Sequence, residues 1–142
     1  MKEPLLEETA FVDLVRTTET LSRPVAKLLK TENLSPQQYN VLRILRGSPA
    51  GLPCSEIGSR MITRDPDITR LLDRMERRGL ISRSRDDRDR RVVVARITNS
   101  GLDLAARLDQ PVRDLHGRLL GHLGPRRLRD LVRLLEICRT VA

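Results

Sequence analysis

From Leu6 to about Lys30, apolar residues return every three or four positions: Phe11, Leu14, Val15, Leu21, Val25, Leu28 and Leu29. That is the period of one helix face, and it predicts a long first helix. Pro24 falls inside it, where the missing amide and the clash with the preceding turn should kink or restart the helix. Ser35-Pro36-Gln37-Gln38 opens a second helix. The serine can cap, proline suits the first helical position, and Gln38 completes a capping box. This helix carries Tyr39, Leu42 and Leu45 and stops at Gly47-Ser48-Pro49. A short third helix follows from roughly Cys54 to Met61, with Ile57 and Met61 turned inward.

The fourth helix has the sharpest pattern. Asp65-Pro66 supplies a capping carboxylate and a proline at the first helical position. Ile68, Leu71, Leu72 and Met75 then recur at i, i+3, i+4 and i+7, one apolar stripe. The opposite face holds Asp67, Thr69, Arg70, Asp73, Arg74 and Arg77, and Gly79 lies where a left-handed cap residue is wanted. Beyond it the period changes. Leu80-Ile81-Ser82-Arg83-Ser84 and Val92-Val93-Val94-Ala95-Arg96-Ile97 have strand character around a polar tip, Arg85 to Arg91, and predict a hairpin with a longer loop than the usual tight turn.

Thr98 can cap a long fifth helix running to about His122 and bent at Pro111. Leu108, Leu115 and His122 fall on one heptad row of it, and Ala105, Val112 and Leu119 on another. Gly124-Pro125 starts a last helix with Leu128, Leu131, Val132, Leu135 and Cys138 inward. The order is α-α-α-α-β-β-α-α, a mainly α chain with a small β-hairpin.

Composition narrows what such a chain can do. Its 142 residues suit one domain with a real core. Net charge is +8, almost all from arginine. About half of the excess lies between Arg64 and Arg96, while the first fifty residues are nearly balanced. A basic balance suits nucleic acid, an anionic membrane or acidic proteins. One Tyr, one Phe and no Trp leave no platform for stacking bases, which disfavours single-stranded nucleic-acid modules and leaves duplex DNA. No stretch approaches the ~20 apolar residues of a transmembrane helix. Met1-Lys2-Glu3-Pro4 leads into acidic residues, not a signal core, so a cytoplasmic location is expected. Cys54 and Cys138 form no CxxC pair and read as two buried free thiols.

Two short helices joined by a turn, the second exposing Thr and Arg and followed by a basic hairpin, make a unit suited to reading DNA. A major groove about 12 Å wide admits one helix, whose polar face can meet base edges and phosphates. A hairpin beside it can lay arginine into the minor groove. Thr69, Arg70 and Arg74 are the candidates on the helix, and Arg88, Arg90 and Arg91 those on the hairpin tip. Asp65 is read as a cap. Asp67 has an alternative role, accepting from a cytosine amino group.

Several runs resemble one family in the right order over nearly the whole chain. Leu34-Ser35-Pro36-Gln37-Gln38-Tyr39-Asn40-Val41-Leu42 is similar to its second-helix signature. Ile68 to Ile81, with Thr69-Arg70 and Arg77-Arg78-Gly79-Leu80-Ile81, is similar to its recognition helix running into the wing. Asp87-Arg88-Asp89-Arg90-Arg91 resembles the wing tip, and Ile97-Thr98-Asn99-Ser100-Gly101 the start of helix five. This is the MarR family, the multiple antibiotic resistance regulators.

The resemblance implies a winged helix-turn-helix DNA-binding transcription regulator, a ligand-responsive repressor that binds a pseudo-palindromic double-stranded operator as a homodimer. It implies one domain over residues 1–142, with a DNA-binding lobe at 35–98 and dimerisation helices at 5–31 and 99–140. It also implies a small effector between those helices and the lobe. Arg16, Arg43 and His116 are the candidates to meet an anionic aromatic compound. The organic-peroxide sensors of the family carry a first-helix cysteine that this chain lacks. No catalytic set, phosphate-cradling glycine loop or metal-ligand spacing is present; His116 and His122 are six apart. The expectation is therefore no enzyme, no metal and no resident cofactor. The competing reading is a winged helix that binds another protein through its basic face.

Overall fold

The computed structural model describes residues 2–141. The chain folds as α1 (Leu6–Lys30), α2 (Pro36–Arg46), β1 (Leu52–Pro53), α3 (Cys54–Arg60), α4 (Ile68–Arg77), β2 (Ile81–Arg85), β3 (Val93–Ile97), α5 (Asn99–Leu120), a single 3₁₀ turn (Gly121–Leu123) and α6 (Gly124–Arg139). It divides into two compact units. Met1–Val25 and Gln110–Ala142 form one, and Ala26–Asp109 the other.

The Ala26–Asp109 unit holds the better-covered core. Leu42 and Leu45 from α2, Ile57 from α3, Leu72 and Met75 from α4, Ile81 and Ala95 from the sheet, and Leu104 and Leu108 from α5 are all buried. The predicted caps explain where its helices start. Ser35 Oγ accepts from the Gln38 amide at 3.1 Å while Gln38 Oε1 accepts from the Ser35 amide at 3.0 Å, a complete capping box. Thr98 Oγ1 accepts from the Gly101 amide at 3.1 Å and donates to the Gly79 carbonyl at 2.6 Å, so one hydroxyl joins the start of α5 to the end of α4. Gly101 is needed there because a Cβ would run into the Leu80 carbonyl. Gly79 takes φ +73°, as a residue ending α4 in the left-handed region should.

The sheet has a strand that the sequence pattern did not predict. β1 pairs antiparallel with β3, Leu52 opposite Ala95 and Pro53 opposite Val94, giving the order β1-β3-β2. Two residues, one of them proline, are too few to show alternation. The hairpin is as expected, with Ile81 opposite Ile97 and Arg85 opposite Val93.

The start of α4 differs from expectation. Asp67, not Asp65, is the N-cap, its Oδ1 accepting from the Arg70 amide at 3.1 Å. Asp65 Oδ1 instead accepts from the Asp67 amide at 2.8 Å, a local turn that holds Pro66 outside the helix.

In the other unit the apolar rows are only partly covered. Val112 and Leu115 are buried and Leu128, Leu131 and Leu135 are half-buried, but Phe11, Leu14, Val15, Val132, Leu134 and Ile137 are exposed. Cys138, expected inward, is exposed, and Cys54, expected buried, is half-buried. α5 ends at Leu120, so His122 falls in the 3₁₀ turn and is exposed instead of continuing the Leu108–Leu115 row. Pro24 and Pro111 lie inside continuous helices, so α1 does not restart.

Candidate nucleic-acid interface

α4 buries Leu71, Leu72 and Met75, and its other face lines an open polar cleft of about 530 Å³ with Asp67, Thr69, Arg70, Asp73, Arg74 and Arg77. Three of the residues singled out on this helix, Thr69, Arg70 and Arg74, therefore stand together and exposed. Among the described residues Arg70 makes only a long pairing with Asp67, Nε to Oδ2 at 3.8 Å, with both side chains largely in solvent. Such a pair is weak and screened, leaving the guanidinium able to exchange partners. Asp67 is less free than expected, because one carboxylate oxygen is occupied by the helix cap.

The wing tip orders its own backbone. The Asp86 amide donates to the Val92 carbonyl at 2.9 Å and the Val92 amide to the Asp89 carbonyl at 3.0 Å. Arg85 Nη1 donates to the Arg90 carbonyl at 2.7 Å. Asp89 takes Arg91 in a two-point pair, Nε to Oδ1 at 3.1 Å and Nη2 to Oδ2 at 3.2 Å. Those bonds, with one from the Arg91 amide, hold the Asp89 carboxyl below its ordinary value. Asp89 thus orients Arg91, its neighbour two residues on. The guanidinium groups of Arg88 and Arg90 have no carboxylate partner among the described residues.

Among the charged connections that escaped the sequence reading are two that join elements of this lobe. Arg83, on β2, reaches both Asp73 and Glu76 of α4. Its position was a signal: strand alternation places it on the same side as buried Ile81. Arg46 Nη1 donates to Asp109 Oδ2 at 2.8 Å, joining α2 to α5 and raising the guanidinium's affinity for its proton. Asp109 is therefore not a plain surface charge. The two residues are 63 positions apart, and no local pattern links them.

The three effector candidates divide between the units. Arg16 lines an apolar concavity on α1 with Leu14, Val15, Thr18 and Glu19, and His116 is exposed on α5. Arg43 belongs to the Ala26–Asp109 unit, its guanidinium 6.0 Å from the Tyr39 ring centre. Among the described residues no His, Cys, Asp and Glu group comes together as a metal site, and no helix is long and apolar enough to cross a membrane.

A helix with an exposed Thr-Arg face, preceded by a short helix and followed by a cation-tipped hairpin on a three-stranded sheet, is a winged helix-turn-helix. The chain belongs to the MarR family, whose sequence profile matches residues 34–93. It is 30% identical over 131 residues to the HTH-type transcriptional repressor IacR of Pseudomonas putida, covering 92% of this chain and 78% of that one. The crystal structure of a MarR transcription factor from Planctomyces limnophilus shares 40% identity, with 96% of this chain and 99% of that one covered at a TM-score of 0.73. The PcaV transcriptional regulator from Streptomyces coelicolor, solved in complex with its natural ligand, is 25% identical with 99% of both chains covered at a TM-score of 0.81. These relatives are transcription regulators, and the DNA-binding reading is the one their likeness supports over a protein-interaction module.

Proposed function

We propose that this chain is a cytoplasmic repressor that reads a pseudo-palindromic operator as a homodimer and releases it on binding a small effector. Thr69, Arg70 and Arg74 enter the major groove, and the wing carries Arg88, Arg90 and Arg91 to the minor groove. The observation that carries this reading is the pairing pattern. Two carboxylates hold Arg83 inward, while Arg74, Arg88 and Arg90 are exposed with no acidic partner among the described residues, and Arg91, though paired with Asp89, keeps a side chain 90% exposed. Cations left unpaired beside a helix of groove-filling width suit a polyanion. Asp67 keeps one oxygen outside the cap and is the acidic candidate for a cytosine amino group.

The uncovered apolar positions of α1 and α6 support the dimer. Phe11 is 69% exposed, and Val15 and Ile137 are each 56% exposed. Apolar faces at helical spacing that their own chain leaves open are suited to a second copy. PcaV is a ligand-bound relative, and an effector here acts only if it prefers one arrangement of the two reading helices. Arg16, Arg43 and His116 remain the candidates to meet it. The protein works by binding and not by catalysis.

The experiment is fluorescence anisotropy with duplex DNA from immediately upstream of the protein's own coding region, beside a scrambled duplex, at two salt concentrations. Preference for the native duplex by ~10³-fold or more supports an autoregulating operator reader. Equal, weak and steeply salt-dependent binding to both contradicts it at that site. No binding to either at low salt favours the protein-interaction reading.

A further inference from the structure

Arg83 differs from the other hairpin arginines in being turned inward, with a side chain only 20% exposed. Its Nη2 donates to Asp73 Oδ1 and, at 3.1 Å, to Glu76 Oε1. Its backbone amide donates to Glu76 Oε2 at 2.9 Å, so Glu76 grips β2 by both main chain and side chain. Its Nε is buried without a hydrogen-bond partner among the described residues, which leaves the Nη2 end to make the side-chain connection. Asp73 and Glu76 are one turn apart on α4, a spacing that lets one guanidinium span both.

The position of Asp73 gives this cluster a meaning beyond stability. Asp73 lines the same cleft as Thr69, Arg70, Arg74 and Arg77. A carboxylate there faces the approach of phosphates, and Arg83 answers its charge from the wing side. The same bonds tie the helix that would enter one groove to the hairpin that would enter the next. We propose that Arg83 is a positioning residue that fixes the wing to the recognition helix and so sets how strongly the protein prefers one DNA sequence over another. The inference rests on the DNA-reading function proposed above. Base edges are read only when the helix sits at a fixed depth and angle, and phosphate contacts through the wing hold that placement.

The test compares the full-length wild type with Arg83→Met and with the double variant Asp73→Asn/Glu76→Gln. Each is titrated against a duplex enriched by the wild type from a random pool, and against a scrambled duplex. A variant that merely unfolds in part binds both duplexes less well by the same factor, so the ratio of the two affinities does not move. The ratio is the readout. The double variant removes two negative charges and should bind the scrambled duplex as tightly as the wild type or more so, while its preference falls by ~10-fold or more. Arg83→Met should weaken binding to both duplexes and lose preference to a similar extent. If Arg83→Met does not fold, the double variant alone decides the matter. A folded variant of either kind that keeps the wild-type ratio overturns the proposal. A wild type that enriches no sequence removes the DNA-reading function itself, and this inference with it.

Discussion

The same helical spacing of apolar residues has opposite outcomes in the two units. Within Ala26–Asp109, Leu42, Leu45, Leu72 and Met75 are shielded from solvent by their own chain. Within Met1–Val25 and Gln110–Ala142, Phe11, Val15, Val132 and Ile137 stand largely open. Periodicity reports that a face is built to be covered, not what covers it. One unit covers its apolar rows itself; the other leaves much of its rows exposed, and a second copy of the chain is the covering we propose.

That contrast can be broken from either side. The largest effect should come from the lobe. Leu72→Ala leaves a cavity under α4 with nothing to fill it and should cost about 2–5 kcal/mol, read from thermal or urea unfolding. A change below about 1 kcal/mol would mean that the α4 stripe is not part of a packed core. Phe11→Asp should have the reverse signature. It should leave the lobe's secondary structure in place but shift the dimer toward monomer by ~2 kcal/mol or more if Phe11 anchors the interface. Light scattering across a dilution series checks this, and an unchanged mass at every concentration would remove α1 from the interface.

Smaller effects separate the exposed cations from the restrained ones. Arg90→Ala should weaken binding to every duplex and lower the slope of log affinity against log salt by about one unit. Titrations at two salt concentrations with identical slopes would show that Arg90 meets no phosphate. The thiols offer the mildest test. Burial pushes the Cys54 thiol above its ordinary value, against a weaker opposing pull from Arg83. Less thiolate is then present at pH 8, so Cys54 should react with iodoacetamide more slowly than free cysteine. Mass spectrometry of a time course gives the rate, and the labelling of Cys54 as fast as the free amino acid would contradict its burial.

Much of the lobe was legible because its signals are local. The Ser35–Gln38 capping box, the α4 stripe, Gly79 and the Thr98 cap each lie within a few residues of what they control, and the structure carries all four. The start of α4 moved by two residues because three positions offer a cap or a proline in series, and only geometry chooses between Asp65 and Asp67. β1 was illegible, since a two-residue strand exists only through its pairing with β3. Cys138 and His122 depart from the pattern for different reasons: α6 runs through Cys138 but its own chain leaves that position exposed, whereas α5 stops at Leu120, before His122. For the candidate site, the Thr69, Arg70 and Arg74 face and the wing arginines could be named from the sequence. The Arg83 cluster required knowing which face of β2 meets α4.

The measurement that bears most directly on the account is selection of duplexes from a random pool by the full-length protein, followed by sequencing of what it retains. A dimer of lobes, each presenting α4 and a wing, predicts enrichment of a pseudo-palindrome whose half-sites lie about one helical turn, roughly 10 base pairs, apart. Enrichment of a single asymmetric half-site would contradict the dimer, and a pool that stays random would contradict the reading of this basic lobe as a sequence-specific DNA binder.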